Sequence, residues 1–119
     1  MWEFSNDRPV YLQIIDVVLT RIASGVYNPG ERIPSVRDLA EEARVNPNTM
    51  QKALSEIERL GYITSQRTAG KFITEDTAII GTLKKSKADN ILGNFVDEMK
   101  MINISIDEAI ELLKKYDSK

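Results

Sequence analysis

Apolar residues along the first third of the chain recur at helical spacing. Tyr11, Leu12, Ile15, Val18, Leu19 and Ile22 predict an amphipathic helix opened by Asp7-Arg8-Pro9 and ended by Gly25. Asn28-Pro29-Gly30 signals a turn, and Arg32-Ile33-Pro34 a short extended piece, because a residue before proline avoids the α region. Ser35-Val36-Arg37-Asp38 has the form of a capping box, with Val36, Leu39, Ala40 and Ala43 facing inward along a short helix. After a tight break at Arg44-Val45, Asn46 caps again and Pro47 takes the first helical position. Met50, Ala53, Leu54, Ile57 and Leu60 form the buried stripe, which Gly61 stops. Two helices joined by so short a turn read as a helix-turn-helix.

The period then changes. Tyr62-Ile63-Thr64-Ser65 and Lys71-Phe72-Ile73-Thr74 are β-prone runs on either side of a loop, Gln66-Arg67-Thr68-Ala69-Gly70. Three helices followed by a β-hairpin make a winged helix-turn-helix. From Asp76 the pattern is helical again, with Ile80, Leu83, Ile91, Leu92, Phe95, Val96, Met99 and Ile102 interrupted by Lys84-Lys85-Ser86-Lys87. A further capping box, Ser105-Ile106-Asp107-Glu108, opens a last helix carrying Ala109, Ile110 and Leu113. The expected class is α+β and mainly α: a winged helix-turn-helix over residues 1–75, then a short two-helix dimerisation segment over residues 76–119.

Charge sharpens this picture. The net charge is −2, yet residues 32–74 carry seven basic and five acidic groups between two segments that are each −2. A polyanion is therefore met by the middle of the chain. With no cysteine and no histidine, thiolate and imidazole metal sites and the commonest neutral-pH acid–base catalyst are missing. No nucleophile or tuned acid–base pair stands out, so neither an enzyme nor a metal or other cofactor is expected. No apolar run approaches a membrane span, and Met1 to Asp7 have neither the basic start nor the apolar core of a signal peptide, so a cytoplasmic protein is expected.

The head of the second helix-turn-helix element carries the functional hint. Asn46, Asn48, Thr49, Gln51 and Lys52 are polar, and those beyond the cap face away from the apolar stripe. Asn and Gln pair bidentately with adenine, Thr touches a thymine methyl or a phosphate, and Lys reaches guanine or the backbone. The same residues equally suit a solvated, capped helix face. Arg37, a cation in a first helical turn, opposes the macrodipole at a cost of roughly 0.3–1 kcal/mol, which a phosphate would offset. Arg67 and Lys71 flank the hairpin loop, where a wing meets DNA. Concurrence on one face favours double-stranded DNA over a solvated surface.

Pro9 to Ile14, Gly25 to Ala40, Val45 to Leu54, Leu60 to Ile63 and Gly70 to Ile73 together resemble the DNA-binding domain of the GntR family of bacterial transcription regulators. The short tail resembles the YtrA-like subfamily, in which two helices replace a ligand-binding domain. The resemblance implies DNA contacts by Arg37, by Pro47, Asn48, Thr49 and Gln51, and by the wing near Arg67 and Gly70. Arg44 stands where the family usually has glycine, which predicts a non-glycine residue at positive φ. Pro47 and Gln51 stand where many relatives carry arginine, and Thr68 replaces the first glycine of the wing's G-x-G.

The apolar face of the tail needs a cover. Packing back onto the winged domain would give a monomer; pairing with a second copy suits a palindromic operator and is preferred. Leu83, Ile91, Leu92, Phe95, Val96 and Met99 are the expected dimer interface, with Ile106, Ile110 and Leu113 closing over it. The functional expectation is a homodimeric repressor, released by loss of the dimer or by a small-molecule effector of unknown identity. The alternative is a winged helix that binds only protein, whose affinity would not fall steeply with salt.

Overall fold

The computed structural model describes residues 2–118. Its elements are α1 (Val10–Ser24), α2 (Val36–Ala43), α3 (Pro47–Arg59), β1 (Ile63–Gln66), β2 (Gly70–Ile73), α4 (Thr77–Met101) and α5 (Ile106–Asp117). They form two compact units, Met1–Lys84 and Lys85–Lys119.

In the first unit the helix ends are set by side chains close in sequence. The Ser35 hydroxyl accepts the Asp38 N–H at 3.1 Å, and the Asn46 carboxamide accepts the Asn48 N–H at 2.8 Å, each satisfying a donor the helix leaves orphaned. Pro47 begins α3, where its missing N–H costs nothing. The α2–α3 turn depends on Arg44, held in the left-handed region at φ 58° as the sequence predicts, with its N–H on the carbonyls of Ala40 and Glu41. α1 starts one residue later than expected, with Pro9 as its N-cap.

β1 and β2 pair antiparallel from Ile63 opposite Ile73 to Gln66 opposite Gly70. The extended piece before α2 joins this hairpin through a bridge between Arg32 and Phe72. There the Ile33 N–H donates to the Lys71 carbonyl at 3.0 Å and the Ile73 N–H to that of Glu31 at 2.8 Å. Ile14, Val18, Ile22, Leu39, Met50, Leu54, Ile57, Ile63 and Ile73 fill the core almost without exposure, so α1, α2, α3 and the hairpin share one interior.

The N-terminal arm docks on this core. Trp2 and Phe4 pack against it, the Arg21 guanidinium lies 4.6 Å from the centre of the Trp2 ring, and the Trp2 indole N–H donates to the Glu42 carboxylate. Gln13, only 6% exposed, anchors the arm. Its amide donates to the carbonyls of Ser5 and Arg8, each at 2.9 Å, and its oxygen accepts the Ser5 N–H at 2.8 Å. Every hydrogen-bonding demand of a buried amide is thereby met.

Two leucines depart from expectation. Leu60, assigned to the buried stripe, is 42% exposed, because α3 ends at Arg59 and residue 60 is its cap. Leu83, assigned to a dimer interface, is 7% exposed within the core of the first unit, beside Ile80. The first turns of α4 thus complete the winged core, and Leu83 has almost no surface left for a partner.

The second unit has little interior. Among the described residues Ala109 is the one it buries, and Phe95, Val96, Met99 and Ile104 are half-buried. The turn after α4 closes with the Ile104 N–H on the Met99 carbonyl at 2.9 Å and Asn103 at φ 62°, a left-handed C-terminal stop. Ser105 then caps α5, accepting the Glu108 N–H at 3.1 Å. Ile91, Leu92, Ile102, Ile106, Ile110, Leu112, Leu113 and Tyr116 all stand exposed.

Candidate nucleic-acid interface

α3 has two unlike faces. Met50, Ala53, Leu54 and Ile57 are fully buried, which fixes the helix axially and rotationally. Pro47, Asn48, Gln51, Lys52 and Ser55 are exposed and Thr49 is half-buried. Asn46 is exposed too, but its carboxamide oxygen is committed to the cap. Gln51 and Lys52 are both held. The Gln51 amide donates to the Ser55 hydroxyl at 2.9 Å, one turn along the helix. The Lys52 ammonium stands 3.9 Å from the centre of the Tyr11 ring on α1, a cation–π contact that orders the exposed lysine.

Arg37 and Arg67 are exposed and, among the described residues, make no hydrogen bond or ion pair with another side chain. Two other arginines are committed within the fold: Arg59 is paired with Glu56, and Arg21 with Glu42 and Tyr27. Arg37 extends from the first turn of α2, and Arg67 from the hairpin loop. Gly70, which closes that loop, has φ +104°, a conformation that L side chains rarely adopt.

Lys71 is placed differently from the other wing residues. Its side chain is 19% exposed, and its ammonium donates to the Glu58 carboxylate at 3.0 Å and to the Ser65 hydroxyl at 2.9 Å. Ser65 donates to the same Glu58 oxygen at 2.8 Å. These hydrogen bonds, first from Ser65 and then from Lys71, hold the Glu58 carboxyl below the usual range. A cation expected to face DNA is neutralised by an acid of α3.

Two residues at this face were missed in the sequence. Glu58 reads there as an acid clear of DNA; its partner lies thirteen positions on, and only the hairpin register brings the two together. Arg32 reads as part of an extended piece; its single-residue bridge to Phe72 puts it beside the wing. Among the described residues no three His, Cys, Asp or Glu side chains are grouped to hold a metal ion, and no helix is long and apolar enough to cross a membrane.

Comparison with known proteins supports the same region. Residues 10–73 match the family model described as bacterial regulatory proteins, gntR family. The chain is 38% identical to the uncharacterized HTH-type transcriptional regulator YhcF of Bacillus subtilis (strain 168) over 114 residues, 96% of this chain and 94% of that protein. It is 43% identical to the HTH-type transcriptional repressor YtrA of the same organism over 71 residues, 60% of this chain and 55% of that protein. A solved GntR family transcriptional regulator from Listeria monocytogenes superposes with a TM-score of 0.87 at 37% identity, covering 94% of this chain and 98% of that one.

Proposed function

The chain belongs to the GntR family of DNA-binding bacterial transcription regulators, and we propose that it is a repressor that reads a palindromic operator as a homodimer. The observation that carries the DNA-reading part is the division of α3. Its apolar face is wholly consumed by the core, so the short polar head is presented outward on a rigid support. Asn48 and Gln51 read base edges in the major groove, Thr49 and Lys52 contact a thymine methyl or the backbone, and Asn46 and Pro47 bring the helix end close to the DNA. Arg37 neutralises a phosphate beside the first turn of α2. Arg67 and the loop that Gly70 closes meet the flanking groove.

The second unit supports the dimer. An α-helical pair this small buries too little apolar surface to stand alone, and its exposed isoleucines and leucines form a patch of the kind that marks an interaction site. A groove of about 470 Å³ between α4 and α5 is lined by Phe95, Met99, Leu112, Leu113, Lys115 and Tyr116. A second copy covers this face along Ile91, Leu92, Phe95, Val96 and Met99, so the dimerisation segment starts at Lys85 and not at residue 76, because the first turns of α4 belong to the winged core. Two-fold pairing then sets the two α3 helices about one helical turn of DNA apart, or a multiple of it. The name of the similar YtrA repressor supports repression as the outcome of binding. Release follows from loss of the dimer or from an effector that alters the spacing of the two heads.

Selection of bound sequences from a random duplex library tests the reading, with affinities of the winners measured at two salt concentrations. A palindromic winner with a steep salt dependence is expected. Enrichment of no sequence, with binding indifferent to salt, would refute it.

A further inference from the structure

We propose that the wing grips the DNA backbone through Arg32 and Arg67, while Glu58 withholds Lys71 from the DNA and uses it to fix the wing on α3. This inference rests on the DNA-binding reading above.

Glu58, Ser65 and Lys71 come from α3, β1 and β2, and their side chains close a triangle of hydrogen bonds 2.8 to 3.0 Å long. The triangle ties both strands of the hairpin to the recognition helix. For Lys71 to reach a phosphate it would have to give up both the Glu58 carboxylate and the Ser65 hydroxyl, and leave Glu58 without a neutralising cation on the helix that faces the polyanion. Glu58 therefore acts as a positioning residue: it sets the angle between wing and helix and removes one cation from the DNA-facing count.

Arg32 restores that cation. Its backbone is locked to the hairpin by the hydrogen bonds on either side of the bridge to Phe72. Its guanidinium lies over Gly70: a Cβ built on Gly70 would stand 3.0 Å from Nε and 3.3 Å from Nη2. At φ +104° position 70 favours glycine, and the missing side chain lets the guanidinium lie close against its backbone. Arg32 is exposed and, among the described residues, has no ion pair. A guanidinium with planar donors, beside the loop that carries Arg67, is a phosphate ligand in position.

The experiment compares wild type, Arg32→Ala, Arg32→Lys, Lys71→Ala and Glu58→Gln by titration with the duplex recovered in the selection, between 50 and 200 mM salt. Losing one phosphate contact per subunit removes two from a dimer, so Arg32→Ala should lose about tenfold less affinity than wild type across that salt range. Arg32→Lys should retain the wild-type slope, and Lys71→Ala should leave it unchanged. Glu58→Gln frees Lys71 and should steepen the slope, and adding Lys71→Ala to it should restore the wild-type slope. An unchanged slope in Arg32→Ala, or a flattened one in Lys71→Ala, overturns the inference while the DNA-binding reading stands. Wild type that binds the duplex without salt dependence overturns both.

Discussion

Replacing Ile91 by alanine separates the dimer from the fold. In the single chain Ile91 is 69% exposed on α4, so truncation removes little that holds one subunit together, and the change to alanine favours the helix. In the proposed dimer the same side chain is covered. Isoleucine exceeds alanine by three carbons, each worth about 0.8 kcal/mol on burial, or about 2.4 kcal/mol in all. Scaled by the fraction that a partner would newly bury, the loss is about 1.7 kcal/mol per copy. Two-fold symmetry doubles it to about 3 kcal/mol, which weakens the dimer on the order of 10²-fold. Sedimentation equilibrium across a protein dilution series measures this directly, with circular dichroism as the control on helix content. A dissociation constant unchanged within threefold would show that Ile91, and the exposed face of α4 around it, lie outside the interface.

Three further outcomes follow from other parts of the chain. Gly93 lies within α4 with open space around it, so Gly93→Ala should stabilise the protein by about 1 kcal/mol and raise Tm by a few degrees, read by thermal melting; a weakened dimer would place the interface on that side instead. Arg37→Ala should weaken operator binding and flatten its salt slope without altering the melt, and unchanged affinity would remove Arg37 from the interface. The carboxyls of Glu42, held down by the Trp2 indole and then Arg21, and of Glu58 sit below their ordinary range in the folded protein. Their contribution is present above the unfolded value, near pH 4.3, and is lost as pH falls through the lower folded values. Tm should hold above about pH 5 and decline below it, and the decline should be shallower in Glu42→Gln/Glu58→Gln; parallel acid profiles would contradict this.

What could be read along the chain was what neighbours decide. Ser35, Asn46 and Ser105 cap helices through hydrogen bonds two or three residues away, so their patterns translate directly into helix starts. The helical period similarly located Met50, Ala53, Leu54 and Ile57 in the core. Gln13 was illegible because a polar residue beside an apolar stripe reads as exposed; it is buried only because the arm folds back to supply carbonyls and an N–H. Leu60 misled because periodicity continues one residue beyond the last helical turn. Leu83 misled because the winged core extends past the hairpin into α4, and no local signal marks where one interior ends and the next begins. At the candidate interface the polar head of α3 was visible in the pattern. The pairing of Lys71 with Glu58 and the approach of Arg32 to Gly70 depend on hairpin register and a one-residue bridge, which sequence spacing does not encode.

Hydroxyl-radical footprinting of the selected duplex would reveal how the two subunits sit on DNA. Two-fold binding should give two symmetric protected blocks with centres about one helical turn apart, or a multiple of it, and flanking protection where the wings lie. A single asymmetric block, or protection that appears equally on any duplex, would contradict it.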